Sequence, residues 1–228
     1  MPSSVVTTEP FALRPGDSCA AGGDFGFRSD SSALVKAAIR EGKLHVYGGI
    51  ECKPEDGQPL KPGRTVAAFA ECIAKQCGYV MADSHYRMAI VEHLETHDLA
   101  FAPAPVLPAD TYVRARMLFR EGRVCIHKAS LPEGFADRLM LQLRQVQGKP
   151  TSGGGMSIVH QRWATGGHGD LASAFVLALW QLAGDKVPDE KPVMGTKEWE
   201  EAAQEDRRRQ YLAERQRTAT DWKARYGR

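Results

Sequence analysis

The sequence predicts an α/β fold: a mixed sheet that opens as an antiparallel meander and carries helices on both faces. Three observations lead there. Strand-like stretches succeed one another at about residues 20–27, 32–39 and 43–51, joined by short turns such as Glu41-Gly42. After Pro62 the apolar spacing changes from that of a strand to that of a helix. Beyond it, short apolar runs alternate with helical patterns, as βα units do.

Taken in order, residues 1–18 are rich in Pro, Ser and Thr and are expected to be a linker or N-terminal extension without a core. The meander follows. Val66, Phe69, Ala70, Ile73, Ala74 and Cys77 then mark one face of a helix expected to end at Gly78. Tyr79 to Ala82 reads as a strand, Tyr86 to Thr96 as a helix, Leu99 to Ala102 as a strand, and Asp110 to Glu121 as a helix. Arg123 to His127 fits a further strand, and Phe135, Leu139, Leu143 and Val146 a further helix. Residues 148–157 are expected to form a mobile Gly-rich loop before a short strand from Ile158 to His160. Asp170 to Leu182 is apolar nearly all round and should lie deep against the sheet. Past Gly184, Pro188 and Pro192 break the chain before a charged, partly helical stretch with Arg207-Arg208-Arg209. The expected division is an extension at 1–18, one catalytic-sized domain at 19–184 and a charged tail at 185–228.

Composition narrows the class. With 228 residues, 43% hydrophobic and 25% charged, the chain has the make-up of a globular protein with one substantial core. A formal net charge of +2 neither announces nor excludes a nucleic-acid partner, because a balanced total can hide a basic face around an acidic site. Five cysteines, an odd number with no Cys-x-x-Cys pair, argue against a disulfide framework. No apolar run reaches the roughly 18 residues that would span a bilayer, and Met1-Pro2-Ser3-Ser4 lacks the make-up of a signal peptide.

Three aspartates stand out: Asp24 in Gly22-Gly23-Asp24-Phe25-Gly26-Phe27, Asp83 after Tyr79-Val80-Met81-Ala82, and Asp170 at the start of the late apolar helix. Each has an ordinary use by itself, as a turn residue, a loop acid and a helix N-cap. A strand end that faces a core is nevertheless a poor place for an unpaired carboxylate. Three that converge would suit hard divalent cations such as Mg²⁺ or Mn²⁺, and a pair of such ions serves phosphodiester hydrolysis.

The stretch Gly23-Asp24-Phe25-Gly26-Phe27-Arg28-Ser29-Asp30-Ser31-Ser32-Ala33-Leu34-Val35 resembles the first strand and turn of the nuclease domain of tailed-phage large terminases. The stretch Gly167-His168-Gly169-Asp170-Leu171-Ala172-Ser173-Ala174-Phe175-Val176-Leu177-Ala178-Leu179-Trp180 is similar to that domain's last catalytic helix. The resemblance spans roughly residues 19–183. It implies an RNase H-like fold and an endonuclease that cuts concatemeric viral DNA during packaging, with two Mg²⁺ or Mn²⁺ ions held by Asp24, Asp83 and Asp170. Asp30 matches a position that is often acidic near the metals, although an Asp-Ser-Ser turn also accounts for it.

His168 and then His85 are candidates to support the site, with His160 also nearby in sequence, and Arg28, Arg87 and Arg162 are candidates to contact DNA phosphates. Implied partners are double-stranded DNA, a terminase ATPase domain or subunit, the small terminase and the portal, in the host cytoplasm. No Gly-x-x-x-x-Gly-Lys-Ser/Thr loop occurs, and Gly153-Gly154-Gly155 is no phosphate cradle, so this chain is expected to cut DNA and not to pump it. The tail is either a solvated helix or a dock for DNA or the portal. A junction resolvase or transposase-like nuclease would use the same acids, and an inactive portal-docking module is the alternative outside enzymology.

Overall fold

The structure, a computed structural model, describes residues 5–28, 30–55, 58–105, 108–151, 156–160 and 169–183. Among them, seven strands form one sheet: β1 (Val6–Thr7), β2 (Ser18–Asp24), β3 (Ser32–Arg40), β4 (Lys43–Cys52), β5 (Tyr79–Ala82), β6 (Ala100–Pro103) and β7 (Val124–His127). Their order across the sheet is β1-β7-β4-β3-β2-β5-β6. The central β2-β3-β4 meander is antiparallel, and the outer strands add in parallel on both sides. Five helices cover it: α1 (Pro62–Ile73), α2 (Arg87–Glu95), α3 (Pro108–Arg120), α4 (Phe135–Gln145) and α5 (Asp170–Ala183).

Alternation along the strands divides the core in two. Ala33, Val35 and Ala37 of β3 face α3, α4 and α5, where Leu118, Leu139, Leu171 and Phe175 are buried. Leu34 faces the other way, into a second core with Val66, Phe69, Ile90 and Leu94 of α1 and α2. The mixed sheet with helices on both faces is therefore as expected. The late helix does lie deep: Leu171, Ala172, Ala174, Phe175 and Ala178 are fully buried.

Several boundaries differ for local reasons. β2 stops at Asp24 instead of running to residue 27, because the Ser32 hydroxyl clasps Gly26, accepting from its N–H (3.1 Å) and donating to its carbonyl (2.8 Å), which turns the chain. Helix α1 ends at Ile73, ahead of Gly78, because Ala74 takes a left-handed conformation (φ 49°) while its N–H still bonds the Ala70 carbonyl.

Two expectations are corrected. The N-terminal stretch is not without a core: Val5 is buried, Val6 and Thr7 pair with Ile126 and His127, and Phe11 stacks on His45 at 4.6 Å. Asp17 accepts from Arg40 Nε at 3.0 Å, closing the strap. Part of the Gly-rich stretch is also ordered, since β8 (Gln147–Pro150) pairs antiparallel with β9 (Met156–Val159) as a hairpin. Residues 152–155, 161–168 and everything after 183 lie outside the described residues, and so do the expected Arg162, His168 and charged tail.

Candidate active site

Register brings the first two acids together. β2 and β5 run parallel with Ala21 opposite Val80 and Gly22 opposite Met81, so two further steps place Asp83 level with Asp24. Because side chains alternate along a strand, Asp24 emerges on the same face as Gly22. That is the α5 face, where a Cβ on Gly22 would lie 2.1 Å from the Ala174 carbonyl oxygen and 2.4 Å from the Ala178 nitrogen. Glycine at 22 thus allows the backbone of α5 to rest directly on β2. The helix start, and Asp170 with it, is thereby carried to the end of the strand.

The electrostatics record this convergence. Burial, then the charges of Asp170 and Asp83, push the Asp24 carboxyl up to about 8, with a small further push from Asp30 and an opposing hydrogen bond from Ser173. The other three acids read from the sequence are thus each within electrostatic reach of Asp24. Asp170 is buried, at 5% exposure. Asp83 is exposed and accepts the His85 N–H at 2.8 Å, a tight Asx turn at the strand end. Asp24 and Asp83 line a cleft of about 380 Å³ whose other walls include Tyr112, His160, Ser173 and Leu177.

A chain of hydrogen bonds reaches Asp24 from the cleft wall. Ser173 is hydrogen-bonded to the Asp24 carboxyl. Tyr112 Oη continues the chain, 3.0 Å from Ser173 Oγ and 2.9 Å from His160 Nε2. His160 is seated against Gly169, whose φ of +93° and lack of a Cβ make room for the ring; a Cβ there would lie 2.3 Å from Nδ1. Burial, with the charges of Asp24 and Asp170, also raises the Tyr112 phenol, so its proton stays in place.

Sequence reasoning missed Tyr112 and did not single out Ser173. Ser173 was within reach, since it lies three residues after Asp170 and hence on the same helix face. Tyr112 had no local signal, because its place depends on how α3 crosses α5. Of the remaining candidates, His85 is exposed and meets Tyr86 edge-on, and Arg28 is exposed beside the Gly26 turn. Arg87 covers the Phe101 ring at 5.5 Å and lines a separate groove with Glu95 and Asp98.

The raised Asp24 carboxyl gives a stability test. From the ordinary value of 3.8 up to about 8, the folded chain holds a proton that the unfolded chain has released, so stability falls as pH rises through that window and levels off above it. Metal-free Asp24→Asn lacks this loss. Its melting temperature should exceed the parent's by about 5 °C at pH 8.5 and by less at pH 5, as read by thermal denaturation in EDTA. Parallel pH profiles for the two proteins would contradict the convergence of acids.

These features define an RNase H-like α/β fold with an acid-lined cleft at the ends of adjacent parallel strands. Solved structures that share this fold include large terminases of phages and nuclease domains of large terminases. The magnesium-bound large terminase nuclease of thermophilic phage G20c is 21% identical, with a TM-score of 0.56 over 74% of this chain and 83% of that one. The nuclease domain of the large terminase subunit of bacterial virus Sf6, solved with manganese and beta-thujaplicinol, is 13% identical, with a TM-score of 0.54 over 71% and 87%. The large terminase of bacteriophage HK97 is 16% identical, with a TM-score of 0.57 over 75% of this chain but 41% of that one. No family model and no curated protein matches the sequence. No helix among the described residues is long and apolar enough to cross a membrane.

Proposed function

We propose that this chain is a divalent-cation-dependent DNA endonuclease of the large-terminase type, cutting double-stranded viral DNA during packaging. The observation that carries the reading is the meeting of Asp24 and Asp83 in one cleft, with the charges of Asp170 and Asp30 also bearing on Asp24. The donor set fits Mg²⁺ or Mn²⁺: every acid offers hard oxygen, and their mutual repulsion, visible in the raised Asp24 carboxyl, is what a cation would relieve. Asp24, Asp83 and Asp170 are the residues that would hold two such ions, and Asp30 would adjust their charge. When bound, the pair supplies an activated water and charge stabilisation at phosphorus.

The protein's own part is positioning. Asp24 is fixed at the strand end by its Ser173 bond, and Asp170 by the packing of α5 on Gly22. Ile158, Val176 and Leu177 give the cleft an apolar side that limits competing water. Arg28, exposed beside the Asp24 turn, would meet a phosphate there, and His85, two residues after Asp83, would support the site. Arg87, Arg162, His168 and the tail from residue 185 are further proposed contacts to DNA or portal, while an ATPase domain or subunit and the small terminase would be the packaging partners. Little sequence preference is expected, since no base-reading motif is visible.

The test is cleavage of supercoiled and linear plasmid by the purified chain with Mg²⁺, Mn²⁺ or EDTA. Metal-dependent nicking and linearisation is the expected result. No cutting with either metal would leave the chain as a docking module. A finer expectation concerns the hydrogen-bond chain: Tyr112→Phe and Ser173→Ala should each lower the cleavage rate about tenfold, equivalent to about 1.4 kcal/mol, with circular dichroism unchanged. Full activity in both would remove them from the site.

A further inference from the structure

On the sheet face that α1 and α2 leave uncovered, β4 and β7 set three metal-binding side chains together. His45 and Cys125 are direct partners across the parallel pair, and His127 follows Cys125 on the same face. Their neighbours Leu44, Val46, Val124 and Ile126 point the other way, into the core beneath α3 to α5. One ligand atom from each of His45, Cys125 and His127 lies within 4.8 Å of the others. His127 is buried at 8% exposure, and the N-terminal strap closes over the group, with Phe11 stacked on His45 and tilted against His127.

The tautomers are set by the surroundings. His127 Nδ1 is 3.0 Å from the Glu9 carbonyl, which can only accept, so Nδ1 carries the proton and Nε2 presents a lone pair. That backbone bond on the far ring nitrogen is the arrangement that orients metal-ligating histidines. The Nε2 lone pair faces His45 Nδ1 at 2.9 Å. Burial, followed by the charges of His127 and Arg40, pushes His45 down. Arg40 is itself engaged by Asp17, which limits its repulsion of a cation. Lys43 is the other nearby positive charge, and the Glu9 and Asp17 carboxylates are the nearby negative ones.

We propose that His45, Cys125 and His127 bind a borderline transition-metal ion of the zinc class, at a site separate from the carboxylate cleft and chemically unlike it. Two imidazoles and a thiolate suit zinc and exclude magnesium, which prefers oxygen. Tetrahedral zinc holds such donors about 3.3–3.6 Å apart, so the side chains need to move by only about 1 Å. On binding, the Cys125 thiol releases one proton to solvent, and His45 shifts its own proton from Nδ1 to Nε2. A water, or the Glu9 carboxylate after a local turn of the strap, completes the fourth position. The ion would then fasten the strap to the sheet.

Cobalt(II) reports the site directly, because a thiolate ligand gives an intense ultraviolet charge-transfer band. The full chain, stripped with EDTA and titrated with cobalt at micromolar concentration, should bind one ion with that band. The band should vanish in Cys125→Ser, affinity should fall at least about tenfold in His45→Gln, and both should persist in Asp24→Asn, whose cleft is disabled. Zinc should displace the cobalt and raise the melting temperature. Absence of the band in the wild-type chain, its survival in Cys125→Ser, or its loss in folded Asp24→Asn would overturn the proposal. Because the readout is spectroscopic, failure here leaves the cleavage result untouched.

Discussion

Asp24→Asn is expected to lower metal-dependent plasmid cleavage by at least about 10³-fold while the chain stays folded. The substitution keeps the size of the side chain and the oxygen that accepts from Ser173, but removes the charge around which the site is built. A loss of about 4 kcal/mol of transition-state stabilisation, the scale on which bound metals contribute, corresponds to that factor. Asp83→Asn and Asp170→Asn should behave alike: the first can still accept from the His85 N–H and the second can still begin α5. Coupled with the higher metal-free melting temperature expected of Asp24→Asn, the result would be loss of activity with gain of stability. That pairing separates a group kept for chemistry from one kept for folding. The measurement is single-turnover cleavage with Mg²⁺ beside thermal denaturation with and without the metal. A folded Asp24→Asn protein with more than a tenth of the parent's rate would sink the assignment.

Gly22→Ala should be almost as damaging, although it touches no acid. A methyl group at position 22 would lie 2.1 Å from the Ala174 carbonyl and 2.4 Å from the Ala178 nitrogen. Both are backbone atoms inside a helix, so no rotamer can relieve the clash, and α5 must lift from β2. Overpacking of that kind costs about 1–3 kcal/mol, which lowers the melting temperature by roughly 5–10 °C in a domain of this size. Activity should fall further than stability: Asp170 and Ser173 ride on α5, and a 1 Å misplacement of a catalytic group costs about 10²-fold. Gly78→Ala is the control, since a Cβ there meets nothing within 4 Å. Equal activity in the two variants would show that the contact of α5 with β2 does not set the site.

The parts of this structure legible in the sequence are those fixed by local pattern. The meander, the βα alternation and the apolar Asp170 helix follow from period and punctuation, and the acids announced themselves by standing where strands end and a helix begins. What escaped depends on long-range partners. Val5 to Thr7 are β-branched but too short a run to read as a strand, and they are ordered because Ile126 and His127 offer a free ladder beside them. Gln147 to Pro150 is Gly- and Pro-containing and became a strand by pairing with Met156 to Val159. Tyr112 joins the cleft through the crossing of two helices far apart in sequence. His45 is about eighty residues from Cys125 and His127, so no spacing rule could join them; only the pairing of β4 with β7 does.

The short strand β1 has one more consequence. The Ile126 N–H bonds the Val5 carbonyl at 2.7 Å, and this contact occupies the outward-facing ladder of β7. A chain lacking those first residues would present an apolar strand edge with open donors and acceptors, the kind of surface on which a second molecule adds a strand. Two residues of sheet thus act as a guard against self-association, and the damage from trimming them would appear as aggregation before any change at the acidic cleft.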